Sequence, residues 1–354
     1  MGIPFVQMVL IGLLPSFLKV GWYRLRGARI GKGVRIAPLA VLVSDDIEIG
    51  DGCRIGMVSF IRARKIRLGN RVRIGTMVAI DTGEVHIGHD SQVMEQCVVG
   101  GMLTPRSTLF IGSRVKVFPY CFLNPTEPIV IEDDVGVGGD TYLFTHGSWQ
   151  SVLDGFPIGF GPITIRKGVW LPWRVFILPK VEIGEYATIG AGAVINRSVP
   201  PRALAAGTPA KVISEDGKHL RLLTEEQRWD KLVSIMSELA EFLTYLGQPA
   251  NVSGSGNAYL LDAAAGNGAP PARVAIVSGD VAMPARVDVL VSLTALDTDR
   301  SAGLDALGVA WFDLASGRTS FGASPMVEHV RNYLSRYGVR FSVVTDPPFL
   351  VAQA

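Results

Sequence analysis

Aliphatic side chains fall on a six-residue ruler along nearly half of this chain. The positions are Ile30, Ile36, Leu42, Ile49, Ile55, Ile61, Leu68, Ile74, Ile80, Ile87, Val93 and Val99. They continue through Ile111, Val117, Leu123, Ile131, Val137 and Leu143, then Ile165, Leu171, Ile177, Ile183, Ile189 and Ile195. Early in the series every third step is seven, as if each triangular coil carried one extra corner residue. A helix repeats its apolar face near 3.6 residues and a half-buried strand near 2. A period of six belongs instead to a parallel β-solenoid, in which stacked coils bury one ladder of aliphatics per side. Three hexads per coil predict about eight coils over residues 30–215. Glycine follows the ladder residue at Gly31, Gly50, Gly56, Gly69, Gly75, Gly88, Gly112, Gly138, Gly184 and Gly190. The reading assigns these to tight corners that need positive φ.

The pattern changes at both ends. Residues 1–18 carry no charged side chain, and Lys19, Arg24, Arg26, Arg29, Lys32 and Arg35 follow them. Pro4, Gly12 and Pro15 interrupt the apolar run, which falls short of the roughly 20 residues that a membrane span needs. A signal peptide carries its basic residues before the apolar run, not after it. Two readings of segment 1–29 stay open: an apolar helix lying in the lipid headgroup region, with peripheral membrane contact through residues 1–35, or a cap on the open first coil.

Beyond the solenoid, Thr224-Glu225-Glu226-Gln227 reads as a capping box. Trp229, Leu232, Val233, Met236, Leu239, Ala240, Leu243 and Leu246 then recur at threes and fours, which predicts an amphipathic helix within 216–247. Segment 248–272, rich in Gly, Ser, Asn and Pro, reads as a linker. Four short apolar runs and a helix after Ser324-Pro325 make 273–354 a small α/β domain. The whole is therefore mainly β.

Composition narrows the function classes. Among 354 residues, 48% are hydrophobic and 19% charged, with a formal net charge of +2, too small a field to point to a nucleic-acid partner. Cys53, Cys97 and Cys121 form no closely spaced pair, which favours buried reduced thiols and a cytoplasmic location.

The ladder breaks by its largest step between Leu143 and Ile165, and His146 stands at the root of that excursion. Long loops leaving a rigid scaffold are where sites are commonly built. A neutral imidazole there is suited to take a proton from an acceptor hydroxyl or amine. A zinc site would need His86, His89 and His146 to converge. The first two are three apart on a β segment and face opposite sides, which argues against a metal and against a γ-carbonic-anhydrase-like reading.

The stretch GPITIRKGVWLPWRVFILPKVEIGEYATIGAGAVINRSVPPRALAAGTPAKVI carries a Trp-containing hexad, then IGAG, VPP and AGTPAKV. It resembles the hexapeptide-repeat (left-handed β-helix) acyltransferases, in particular the galactoside, maltose and polysaccharide O-acetyltransferases. The resemblance spans roughly residues 22–215 and, counted back from Trp170, puts the family's catalytic histidine at His146. It implies acetyl-CoA as acyl donor, a homotrimer, and coenzyme contacts at Ala191, Asn196, Arg197 and Lys211. On the acceptor side it implies Asn124, and the loop offers Trp149 and Asp154 to a sugar. Trp173 stands where the family places a small residue beside the pantetheine, and Lys180 where it places a glycine, so the donor channel is expected to be narrowed or rerouted. The expected function is acyl transfer, acetyl first, from a CoA thioester to a hydroxyl of a cell-surface polysaccharide or its precursor, at the inner face of the membrane. The alternative is a non-catalytic solenoid scaffold that binds through its last domain.

Overall fold

The structure, a computed structural model, describes residues 5–147, 149–281, 286–320, 322 and 324–349. It divides into two units, one running to Leu220 and taking in the chain from Pro348, the other Arg221–Pro347.

Among the described residues the first unit is a β-solenoid with three walls of 8, 10 and 8 strands, parallel throughout except for the antiparallel pair that ends the second wall. The first wall carries Ile30, Ile49, Leu68, Ile87, Ile111, Ile131, Ile165 and Ile183 in direct register. The second wall opens with the Ile36, Ile55 and Ile74 register and the third with Leu42, Ile61 and Ile80. Every residue of the six-residue ruler is buried. Two residues before each ladder position of the second and third walls a second, small side chain also points inward, and there Cys53, Cys97 and Cys121 are buried and free. Their polar atoms are satisfied along the stack: Cys53 Sγ donates to the Gly69 carbonyl at 3.0 Å, Ser59 Oγ to that of Gly75 at 2.7 Å and Ser91 Oγ to that of Gly112 at 2.7 Å. Burial pushes the Cys53 thiol up to about 12.

The ladder glycines have a different cause from the one expected. The positive-φ corners fall two residues later, at Gly33 and Gly52 but also at Leu39, Val58, Met77 and Gln96. The ladder glycines themselves are absent from that set. A Cβ on Gly75 would lie 2.6 Å from Glu95 N, and one on Gly88 would lie 2.6 Å from Gly112 C. Glycine is needed there because coils stack backbone on backbone, while the left-handed corner tolerates side chains.

Two helices precede the first wall, α1 (Phe5–Leu10) and α2 (Ser16–Leu25). The first coil of a solenoid has an open edge of unpaired backbone groups. Side chains of α2 meet them: Ser16 Oγ accepts from Ile36 N at 2.9 Å and Tyr23 Oη from Leu42 N at 2.7 Å. Lys19, fully buried, donates to the Ala37 and Ala40 carbonyls at 2.6 and 3.2 Å, and Arg24 to that of Ile30 at 2.7 Å. Phe5, Leu10, Leu13 and Phe17 point away and are exposed.

The second unit is a seven-stranded mixed sheet with α3 (Glu225–Tyr245), α4 (Thr298–Ala306) and α5 (Pro325–Arg336). The capping box of Thr224 and Gln227 forms, and Trp229, Leu232, Met236, Leu239 and Leu243 bury against the sheet. Segment 248–272 is not a linker throughout: strands Ala250–Ser255 and Ala258–Ala263 form an antiparallel hairpin at the sheet edge. Its outer strand is mostly exposed and needs few apolar residues, so its composition looked like that of a loop. The two-residue Gly256-Asn257 connection is the hairpin signal in this segment. The short helix α4, which the apolar pattern does not predict, is capped by Asp297.

Candidate functional site

The site begins on the third wall, where strand Phe122–Asn124 pairs with Tyr142–Phe144 and sets Asn124 opposite Phe144. Thr145, fully buried, then ties the corner together. Its Oγ1 donates to the Asn124 carbonyl at 2.6 Å and accepts from Glu127 N at 3.0 Å. The chain leaves the solenoid through a two-stranded neck, His146–Gly147 against Gly159–Phe160, with His146 paired directly to Phe160. The imidazole stacks on the Phe160 ring at 5.6 Å and 13°. Its Nδ1 is enclosed and finds no hydrogen-bond partner among the described residues. The excursion is exposed over residues 149–158 and held at its root, where the histidine is.

Asn124 is buried, and its Oδ1 accepts from Thr126 Oγ1 at 2.8 Å. A second excursion, residues 100–107, closes over this corner: Met102 N donates to Thr126 Oγ1 at 3.1 Å, and Thr104 Oγ1 donates to the Thr126 carbonyl at 2.9 Å. Arg106 Nε lies 2.8 Å from Glu127 Oε2, and its guanidinium holds that carboxyl below the usual carboxylate range. The twelve-residue step from Val99 to Ile111 is the sequence signal for this excursion. Trp149 is 98% exposed and Asp154 is exposed, so a single chain leaves both acceptor candidates of the loop in solvent.

The donor candidates fall on two edges of the third wall. Trp173 and Ala191 lie at the corner between the second and third walls, where Gly192 N donates to the Trp173 carbonyl at 3.0 Å and Thr208 Oγ1 to that of Gly192 at 3.3 Å. Strands Leu204–Gly207 and Ala210–Ser214 form a hairpin that pairs Lys211 with Ala206 at this end of the second wall. Asn196 and Arg197 follow strand Val194–Ile195 and so lie across the wall, on the edge that carries Asn124 and His146. Ala191, Asn196, Arg197 and Lys211 are exposed, and neither cation has an ion pair among the described residues. Trp173 is 49% exposed, with its ring over Gly139, where a Cβ would come 2.5 Å from Trp173 Cη2. It is a surface indole seated on a glycine. Lys180, where the resemblance led glycine to be expected, takes a positive-φ corner (φ 66°).

Between the two edges, the outward positions beside the ladder form an aromatic panel. Phe122 meets Phe144 at 5.3 Å, Phe144 stacks on Phe176 at 5.2 Å, and Tyr142 stacks on Phe176 at 5.9 Å. Residues flanking Leu123, Leu143 and Ile177 carried that signal.

The three histidines weighed for a metal have separate surroundings. His86 Nε2 lies 3.3 Å from Glu84 Oε2, and His89 Nδ1 accepts from Asn70 N at 2.8 Å. No group of three metal-ligating side chains occurs among the described residues.

Curated proteins similar to part of this chain are named as acetyltransferases. No family model matches the chain. A candidate acetyltransferase of Schizosaccharomyces pombe is 53% identical over 88 residues, which is 24% of this chain and 42% of that protein. Galactoside O-acetyltransferase of Escherichia coli is 46% identical over 108 residues, 30% of this chain and 44% of that enzyme. A hexapeptide-repeat acetyltransferase of Vibrio cholerae solved with acetyl coenzyme A is 26% identical, covering 36% of this chain and 69% of that one with a TM-score of 0.32. The chain thus spans less than half the length of these curated acetyltransferases.

Proposed function

We propose that this chain is a CoA-dependent acyltransferase that moves an acyl group, acetyl first, to a sugar hydroxyl. His146 removes the hydroxyl proton as the oxygen attacks the thioester carbonyl; the carbonyl carbon–sulfur bond breaks, and the imidazolium returns the proton to the departing thiolate. The observation that carries this reading is the placement of His146 at the paired neck of the largest excursion, on the same edge of the third wall as Arg197, an exposed cation with no ion pair among the described residues. Galactoside O-acetyltransferase is named for sugar acyl transfer and the Vibrio relative was solved with acetyl coenzyme A, which support donor and acceptor classes alike. Arg197 and Lys211 suit the phosphates of the coenzyme, and the backbone beside Ala191 and Gly192 its pantetheine.

The assembly in this proposal is a trimer of left-handed β-helices. Its support is the division of the donor candidates between two edges of one wall: a threefold arrangement lets one edge of a chain meet the opposite edge of its neighbour. Trp149 and Asp154, in solvent in the single chain, would gain a partner in the same way. The acceptor is a polysaccharide unit or its lipid-linked precursor, modified at the cytoplasmic face of a membrane. His146→Ala should lower turnover by about 10²–10⁴-fold with an unchanged melting temperature. Full activity in that variant would remove the assignment.

A further inference from the structure

The second wall of the first coils carries a charge pattern that the other two walls avoid. On the first wall Arg29 pairs with Glu48 at 2.8 Å and Arg67 with Glu48 at 3.2 Å. On the third wall Arg62 pairs with Asp81, and at the corners Arg71 meets Asp90 at 2.7 Å and Arg114 meets Asp134 at 2.7 Å. On the second wall Arg35, Arg54 and Arg73 lie directly opposite one another on successive parallel strands. All three are exposed, and none has an ion-pair partner among the described residues. Adjacent strands are about 4.8 Å apart, so three guanidinium groups share roughly 10 Å of wall, about one Debye length at physiological salt. Like charges directly opposite destabilise a sheet. The fold does not impose this, since acids alternate with arginines on the wall next door.

Exposed apolar side chains lie beside this stack. A groove of about 510 Å³ is lined by Leu13, Pro15, Arg35 and Arg54, and another of about 640 Å³ by Phe17, Lys32 and Arg35. Leu13 is 65% and Phe17 73% exposed, at the end of the solenoid opposite to His146.

We propose that this end of the solenoid docks on a bilayer of anionic phospholipid, with Arg35, Arg54 and Arg73 on the headgroup phosphates and Leu13 and Phe17 in the acyl boundary. A nucleic acid would neutralise the guanidinium stack but leave Leu13 and Phe17 in water. A second copy related by a twofold axis would set the stack against itself. An anionic lipid surface matches both halves of the patch. Docking needs no span, and no described helix is long and apolar enough to cross a membrane. This deepens the membrane-facing part of the proposed function and rests on it, while standing apart from the chemistry at His146.

The test is co-sedimentation of the full-length protein with vesicles of phosphatidylcholine alone and of phosphatidylcholine mixed with phosphatidylglycerol. It is run beside acetyl transfer to a soluble sugar. The wild type should bind the mixed vesicles and be released by salt. Arg35→Gln/Arg54→Gln/Arg73→Gln should lose about a hundredfold in partition, roughly fivefold per guanidinium, with an equal or higher melting temperature and unchanged soluble activity. Leu13→Ser/Phe17→Ser should weaken binding while keeping its salt dependence. A triple variant that partitions like the wild type, or that melts lower, would overturn the proposal. So would displacement of the wild type from vesicles by an oligonucleotide. Loss of soluble acetyl transfer in a protein that still binds vesicles would fault the acyltransferase reading alone.

Discussion

The second wall has one architecture and two chemistries. Read upward through the residues just before its ladder positions, it runs Arg35, Arg54, Arg73, Gln92, Lys116, Gly136, Trp170 and Thr188 in continuous register. The first coils present stacked cations; the last present a glycine beneath a half-exposed indole. The aliphatic positions beside them stay invariant in type because each is enclosed by the coils above and below. The difference teaches that a solenoid separates stability from chemistry by direction. The inward residue is answerable to packing, and its outward neighbour is free to serve a ligand or a surface.

That comparison breaks first, and by the largest amount, if the inward ladder proves dispensable. Ile80→Ala, at a fully buried position in an early coil, should cost about 2–5 kcal/mol in chemical denaturation, and Ile177→Ala in a late coil should fall in the same range. A large difference between the two would show that the coils are not equivalent in packing. Next comes the backbone contact at the ladder glycines. Gly88→Ala should destabilise by about 1–3 kcal/mol, as an overpacked site does, because its Cβ meets the Gly112 backbone. Gly52→Ala has an open neighbourhood, with Arg71 Cγ at 3.4 Å, and bears only the left-handed φ of 69°. A smaller loss there, about 1 kcal/mol, would separate close approach from φ as the reason for glycine.

The outward chemistry should respond without moving stability. Arg197→Ala and Lys211→Ala should each raise the KM for acetyl-CoA about tenfold, the scale of one charge-assisted contact, and leave the unfolding midpoint in place. If each instead melts the protein, both are structural. Trp173→Ala should cost under about 1 kcal/mol, because surface substitutions of this kind are mild, and should shift the preference among acyl-CoA chain lengths. A core-sized loss of stability would contradict its position over Gly139.

Much of this could be read along the chain because the period of six is a local property of it. His146 was likewise visible, since an excursion interrupts the ladder and a histidine opens it. Other parts needed partners distant in sequence. Trp173 reads in the sequence only as a bulky residue where a small one is expected, and its seat on Gly139, a coil away, comes from the fold. Thr145, which ties Asn124 to Glu127, is an ordinary threonine in the sequence and a buried staple in the fold. Strands Ala250–Ser255 and Ala258–Ala263 read as a linker because the edge strand of a sheet buries little and so needs little apolar pattern.

The sequence by itself therefore determined the solenoid, its inward ladder, the place of the large excursion and the helix after it. Each rests on periodicity or capping, which act between near neighbours. Only the tertiary structure decided which outward residues stack: Arg35 on Arg54 on Arg73, Phe144 on Phe176, His146 on Phe160. It also decided that α2 closes the open coil through Ser16, Lys19 and Tyr23, whose partners lie about twenty residues ahead. The physical reason is that a coil is one turn of chain about the core axis. Contact between coils depends on the length of every intervening corner and loop, so it is fixed by the sum of many small choices and by none of them alone.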